Sequence, residues 1–88
     1  MSNKQVLLLA VEAALNGEWE QSHNIAQEYS DVTANWIHAV LHKIEGDESN
    51  SKYWYARSSN NEIQAKHYED FNDANTELKT IQKTLNQG

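Results

Sequence analysis

The densest chemistry in the chain lies between Trp36 and Tyr55, in the run WIHAVLHKIEGDESNSKYWY. His38 and His42 stand one helical turn apart, Glu45 follows on the next turn, and Asp47 lies just past Gly46. On a helix advancing about 100° per residue, His38, His42 and Glu45 fall within about 60° of one another. Two imidazoles and a carboxylate so placed can point at one spot, the arrangement of a helical zinc half-site. Zinc held by His38, His42 and Glu45, with Asp47 as a fourth ligand, is one candidate. The order is not His-Glu-x-x-His, so the glutamate base of a metalloprotease is missing. Imidazoles that flank a core stripe more often donate to a carbonyl or pair with a carboxylate. A structural or pH-sensitive histidine pair therefore takes precedence over a metal site. His23 and His67 stand alone, and nothing in the sequence marks them.

Tyr53, Trp54 and Tyr55 are the second feature. Three consecutive helical residues spread over about 200°, so they cannot share one buried face. Ser51, Trp54, Tyr55 and Ser58 form the inner side. Tyr53 falls on the other side with Asn50 and Arg57, where it is expected to pack under the C-terminal segment. The functional alternative is an aromatic patch beside a guanidinium, suited to gripping a peptide or a planar ligand.

Other chemistries lack their residues. There is no G-x-S-x-G elbow, the three glycines are isolated, and cysteine is absent, which excludes thiolate chemistry and a disulfide framework. The net charge is −6 and the seven basic residues are scattered, so no positive surface for nucleic acid or an anionic membrane is readable. The apolar run from Val6 to Val11 is broken by Glu12, and no stretch approaches the roughly 20 apolar residues of a membrane span. The cytoplasm is the expected location.

The elements that must position these groups are helical. With no proline and three glycines in 88 residues, little punctuates a many-stranded fold, and one domain spanning 1–88 is expected. The first helix, Lys4 to Asn16, is apolar nearly all round and needs cover on more than one side, either from the C-terminal helix or from a second copy in a homodimer. A second helix, Trp19 to Ser30, aligns Trp19, Ser22, Ala26 and Tyr29. A third, Val32 to Glu45, carries the core stripe Ile37, Val40, Leu41 and Ile44, with Asp31 as N-cap. A fourth runs from Asp47 to about Ser58. Ser59-Asn60-Asn61-Glu62 fits a capping box, and Phe71, Ala74, Leu78, Ile81 and Leu85 repeat at helical spacing. Residues 60–86 are expected to break near Phe71-Asn72-Asp73.

Laid over itself at a shift of 29 residues, the chain matches Gly17-Glu18 to Gly46-Asp47, Ala10-Val11 to Ala39-Val40, Leu15 to Ile44, and Ser22 to Ser51. These positions are the constrained ones of a helix–turn–helix unit. A glycine ends one helix in a left-handed turn, and a small residue five positions on lets the return helix pack closely. Two antiparallel hairpins (4–30 and 32–58) plus one or two C-terminal helices (60–86) follow, giving an all-α fold.

This arrangement resembles tetratricopeptide-like helical hairpins, with Ser51-x3-Tyr55 where those repeats favour Ala-x3-Phe. More narrowly, the run Trp36, His38, Ala39, Leu41, His42, Glu45, Gly46, Asp47, Asn50, Tyr53, Trp54, Tyr55 and Arg57 is similar to a pattern WxHAxLHxxEGDxxNxxYWYxR in a group of small uncharacterised bacterial proteins. That resemblance covers about a quarter of the chain. It implies one shared site but supplies no reaction.

The expectation is a non-enzymatic interaction module that binds a protein or peptide along the second hairpin through His38, His42, Glu45, Asp47, Asn50, Tyr53 and Arg57. The alternative is a metal-dependent or acid–base hydrolase using His38, His42, Glu45 and Asp47. A third possibility is that the cluster only locks the turn between helices.

Overall fold

Two turns set the path of the chain. At Gly17 the backbone takes φ +81°, and at Gly46 it takes φ +83°, the left-handed region that a side chain disfavours. Around the first, Gly17 N–H donates to the Ala14 carbonyl and Glu18 N–H to that of Ala13. Around the second, Gly46 N–H donates to Lys43 and Asp47 N–H to His42. Both are Schellman closures, and they satisfy the carbonyls that a helix end leaves over.

The computed structural model describes residues 3–58 and 74–86. Among the described residues the elements are α1 (Asn3–Leu15), α2 (Trp19–Ala26), α3 (Val32–Ile44), α4 (Glu48–Tyr55) and α5 (Ala74–Asn86), with no strand. The chain is thus all-α. None of these helices is long and apolar enough to cross a membrane. The capping box at Ser59–Glu62 and the break near Phe71 lie outside the described residues.

α1 packs on α2 and α3 packs on α4, each pair joined by its glycine turn, while α5 lies against α1 and α3. The two joined pairs use the same device. Ser22 Oγ donates to the Ala10 carbonyl at 2.6 Å, and Ser51 Oγ donates to the Ala39 carbonyl at 2.8 Å, both buried. Each serine lies five residues beyond its glycine. There a small side chain allows close approach, and its hydroxyl fixes where along the facing helix the return helix sits.

Helix ends come earlier than the pattern suggests. α2 stops at Ala26 rather than Ser30, and α4 at Tyr55 rather than Ser58, both passing into turns. Asp31 occupies the N-cap position of α3, but its side chain makes no capping bond.

The helix covered on all sides is α3, not α1. Trp36, Ile37, His38, Ala39, Val40 and Leu41 are buried in succession, because α1, α2, α4 and α5 all contact it. The expected stripe fails at its end, since Ile44 is exposed where α3 meets the turn. α1 buries Leu7, Ala10, Val11, Ala13 and Ala14, with α5 supplying the second cover, and leaves Leu9 at 47% exposure. α5 contributes Leu78, Ile81 and Leu85, as the spacing predicts.

The core also contains a charge pair. Glu77 of α5 is fully buried, and its carboxylate accepts from Lys43 Nζ at 2.7 Å, from Trp36 Nε1 at 2.6 Å, and from the Tyr55 hydroxyl at 2.7 and 2.6 Å. Lys43 lies over the Tyr55 ring, 5.4 Å from its centroid. Donors from α3 and α4 thus close on one carboxylate of α5. A buried ion is tolerated only when its lone pairs are met in this way.

Candidate functional site

α2 and α3 bring three histidines together. His38 and His42 lie one turn apart on α3, and His23 reaches across from α2 to complete the group. Ligand nitrogens of His23, His38 and His42 all lie within 4.8 Å of one another. His23 Nε2 and His38 Nε2 are 3.0 Å apart, so one carries a proton and the other accepts it. His38 and His42 stack at 4.9 Å between centroids, and His23 meets both rings edge-on.

Two indoles wall the group. Trp54 of α4 stacks on His38 at 3.9 Å with an 11° interplanar angle. Trp19 stacks on His23 at 4.8 Å and presents an edge to His42. Trp19 is itself pinned, because its Nε1 donates to the Leu41 carbonyl on α3. The histidines therefore sit in positions set by α2, α3 and α4 together, and a shift of any one helix would part them.

The electrostatics disfavour the charged form of His23 and His38. Burial first, and then neighbouring His23 and His42, push His38 down to about 4. His23 is lowered first by burial and then by His42, with Glu45 acting in the opposite sense. For His23 and His38, loss of water and the neighbouring rings outweigh the pull of Glu45.

The carboxylates stand behind this group. Glu45 Oε1 is 2.6 Å from His42 Nδ1, a contact that orients the ring and leaves Nε2 for the other side. Asp47 caps α4: Oδ1 accepts from the Asn50 backbone at 3.2 Å and Oδ2 from the Asn50 amide at 2.6 Å. The Asn50 side-chain bond, with the backbone bond second, holds the Asp47 carboxyl below the usual carboxylate range. His42, Glu45 and Asp47 also form a loose acidic group at the surface.

Of the seven residues expected to bind, His38 is buried and faces His23, whereas Asp47 and Asn50 serve the turn. Glu45, Tyr53 and Arg57 are exposed. Tyr53 does not pack under a covering segment as expected; it is 50% exposed. Tyr55 turns inward to Glu77 and Trp54 covers His38, so the helix leaves Tyr53 no inner position. Its ring instead carries the Arg57 guanidinium at 4.3 Å and meets Trp54 edge-on.

His23 is the member that sequence reasoning missed. Its signal was present but indirect: it lies four residues after Trp19 on the face of α2 that also holds Ser22 and Ala26, and so faces α3. Lys43 and Glu77 were also missed, since a lone lysine and a lone glutamate give no sign of meeting each other.

No protein-family model matches the chain, and neither a curated protein nor a solved structure matches it. The function must be read from the geometry alone.

Proposed function

We propose that the chain is a cytoplasmic, non-enzymatic interaction module of tetratricopeptide-like build, which binds a protein or peptide along the outer edge of α3 and α4. The repeated glycine turn and the repeated serine bond support the hairpin reading. The observation that carries the binding reading is Tyr53. A large aromatic side chain stands half in solvent, braced on one face by Arg57 and at its edge by Trp54. Aromatic and arginine side chains held rigid at a surface are the usual anchors of an interface, since little side-chain freedom remains to be lost. Ile44 and Glu45 are also exposed, at the turn that joins α3 to α4. A peptide pairing an apolar side chain with a carboxylate, the latter placed for Arg57, suits this edge best.

The hydrolase reading from His38, His42, Glu45 and Asp47 has less support. His38 turns into the protein toward His23, and both oxygens of Asp47 are engaged by Asn50.

Selection of a random peptide library on the protein tests the interaction reading. Peptides recovered should lose about tenfold or more in affinity for Tyr53→Ala and for Arg57→Ala, the loss of a typical anchor. Both variants should keep the unfolding midpoint, because exposed side chains contribute little to stability. Peptides that bind both variants as tightly as the parent would refute the reading.

A further inference from the structure

We propose that His23, His38 and His42 form a three-histidine site for a divalent transition metal of the zinc class, with Glu45 as the carboxylate that orients His42. This goes beyond the peptide-binding edge and does not depend on it.

Zinc binds imidazole nitrogen at about 2.0–2.1 Å, so two nitrogens on a tetrahedral ion stand roughly 3.3 Å apart. His23 Nε2 and His38 Nε2 are already 3.0 Å apart, and the third ligand nitrogen lies within 4.8 Å of each. His38 and His42 share a helix turn and the packing of α2 on α3 brings His23 to them, so the three nitrogens are close enough to converge on one ion.

The second observation is the partner of His42. Ligating histidines commonly give their far nitrogen to a carboxylate, which fixes the tautomer and raises the basicity of the near one. Glu45 does this here, holding Nδ1 at 2.6 Å. Chemically this is a different role from the ligand expected of Glu45 on the helical wheel. Its place in the ligand set is taken by His23, from another helix.

The third is the wall. Trp19 and Trp54 stack on His23 and His38, restrict ring rotation, and keep water from one side. Neutral imidazole is the form that offers a lone pair. Binding then needs one of the two rings to move its proton from Nε2 to Nδ1. No charge is lost in that exchange. Three protein nitrogens leave one coordination position for water or for a group from a partner.

The experiment is calorimetric titration of zinc ions into tag-free protein stripped of metal, alongside His23→Gln, His42→Gln, Glu45→Gln and Asp47→Asn. His23 and His42 are only partly buried, so these variants avoid the packing defect that a change at His38 would bring. Far-UV circular dichroism checks that each is folded. The proposal expects one zinc per chain, binding abolished in His23→Gln and His42→Gln, and affinity lowered about 10- to 100-fold in Glu45→Gln, as for other orienting carboxylates. Cobalt in place of zinc should give the visible absorption of a tetrahedral ion and quench tryptophan fluorescence through Trp19 and Trp54. Asp47→Asn should bind as the parent does. Absence of binding overturns the proposal. So does binding that survives His23→Gln and is lost in Asp47→Asn, which would place the ion on the surface group of His42, Glu45 and Asp47.

Discussion

Replacing Glu77 by glutamine tests whether the buried carboxylate holds the helices together. The change keeps volume and shape and removes the charge. Lys43 Nζ then loses the counter-charge it meets at 2.7 Å, with both side chains at 0% exposure. Removing one partner of a buried pair costs about 3–5 kcal/mol, because the other charge stays out of water. Trp36 and Tyr55 add little to this, since the amide oxygen can still accept from Trp36 Nε1 and the tyrosine hydroxyl can turn to accept from the amide. At about 4–8 °C per kcal/mol for a domain of this size, Glu77→Gln should lower Tm by about 15 °C or more. Against a total stability of roughly 5–15 kcal/mol, that is a large fraction. Lys43→Met in the same chain removes the ammonium as well. The double variant should regain about 2 kcal/mol or more of what Glu77→Gln lost, a coupling that urea denaturation followed by circular dichroism would read in a double-mutant cycle. If Glu77→Gln costs under about 1 kcal/mol, or if the two changes simply add, the reasoning that places a charge pair at the centre of the fold is refuted.

Gly46→Ala meets no clash, as nothing lies within 4 Å of the added carbon, so its cost should be the left-handed backbone alone, about 1–2 kcal/mol in chemical denaturation. A loss near zero would mean the turn does not need its glycine. Ser22→Ala and Ser51→Ala should each cost about 1 kcal/mol and match within error, since the two hydroxyls make the same bond; a large disparity would deny that the turns are equivalent. For metal-free protein, pH enters through His23 and His38, both lowered in the fold, His38 to about 4 against 6.5 for the free side chain. The unfolded chain then takes the proton first. Stability is greatest above pH 6.5 and falls as pH drops from 6.5 toward 4. Denaturation at pH 7.5 and 5 should show this fall, and His38→Gln should flatten it; a parent flat over that range contradicts the burial of the ring. With α5 covering α1, the protein should sediment as a monomer. A dimer dissolved by Leu9→Lys would instead assign the exposed part of α1 to a second copy.

Local signals carried the first four helices, and they did so because each is set by neighbours in sequence. Gly17 and Gly46 announce left-handed turns, and Ser22 and Ser51 announce close packing, from residue type and spacing alone. The pairing of Glu45 with His42 and the cap by Asp47 were legible for the same reason, as both span three residues. What depends on distant partners was not. Burial of six successive α3 residues follows from four helices meeting there, which a single stripe cannot convey. Glu77 beside Leu78 reads as a solvated acid until Trp36, Lys43 and Tyr55 converge on it from far along the chain. His23 gained its meaning only when α2 was laid on α3.

The position of Glu77 bears on how the protein is made. During synthesis α1 to α4 emerge first, bearing Trp36, Lys43 and Tyr55 without the carboxylate they meet in the finished fold. Separated from Trp36 by 41 residues, that carboxylate arrives with α5. The nascent chain must therefore wait with apolar surface of α1 and α3 uncovered, a state exposed to aggregation and to chaperones.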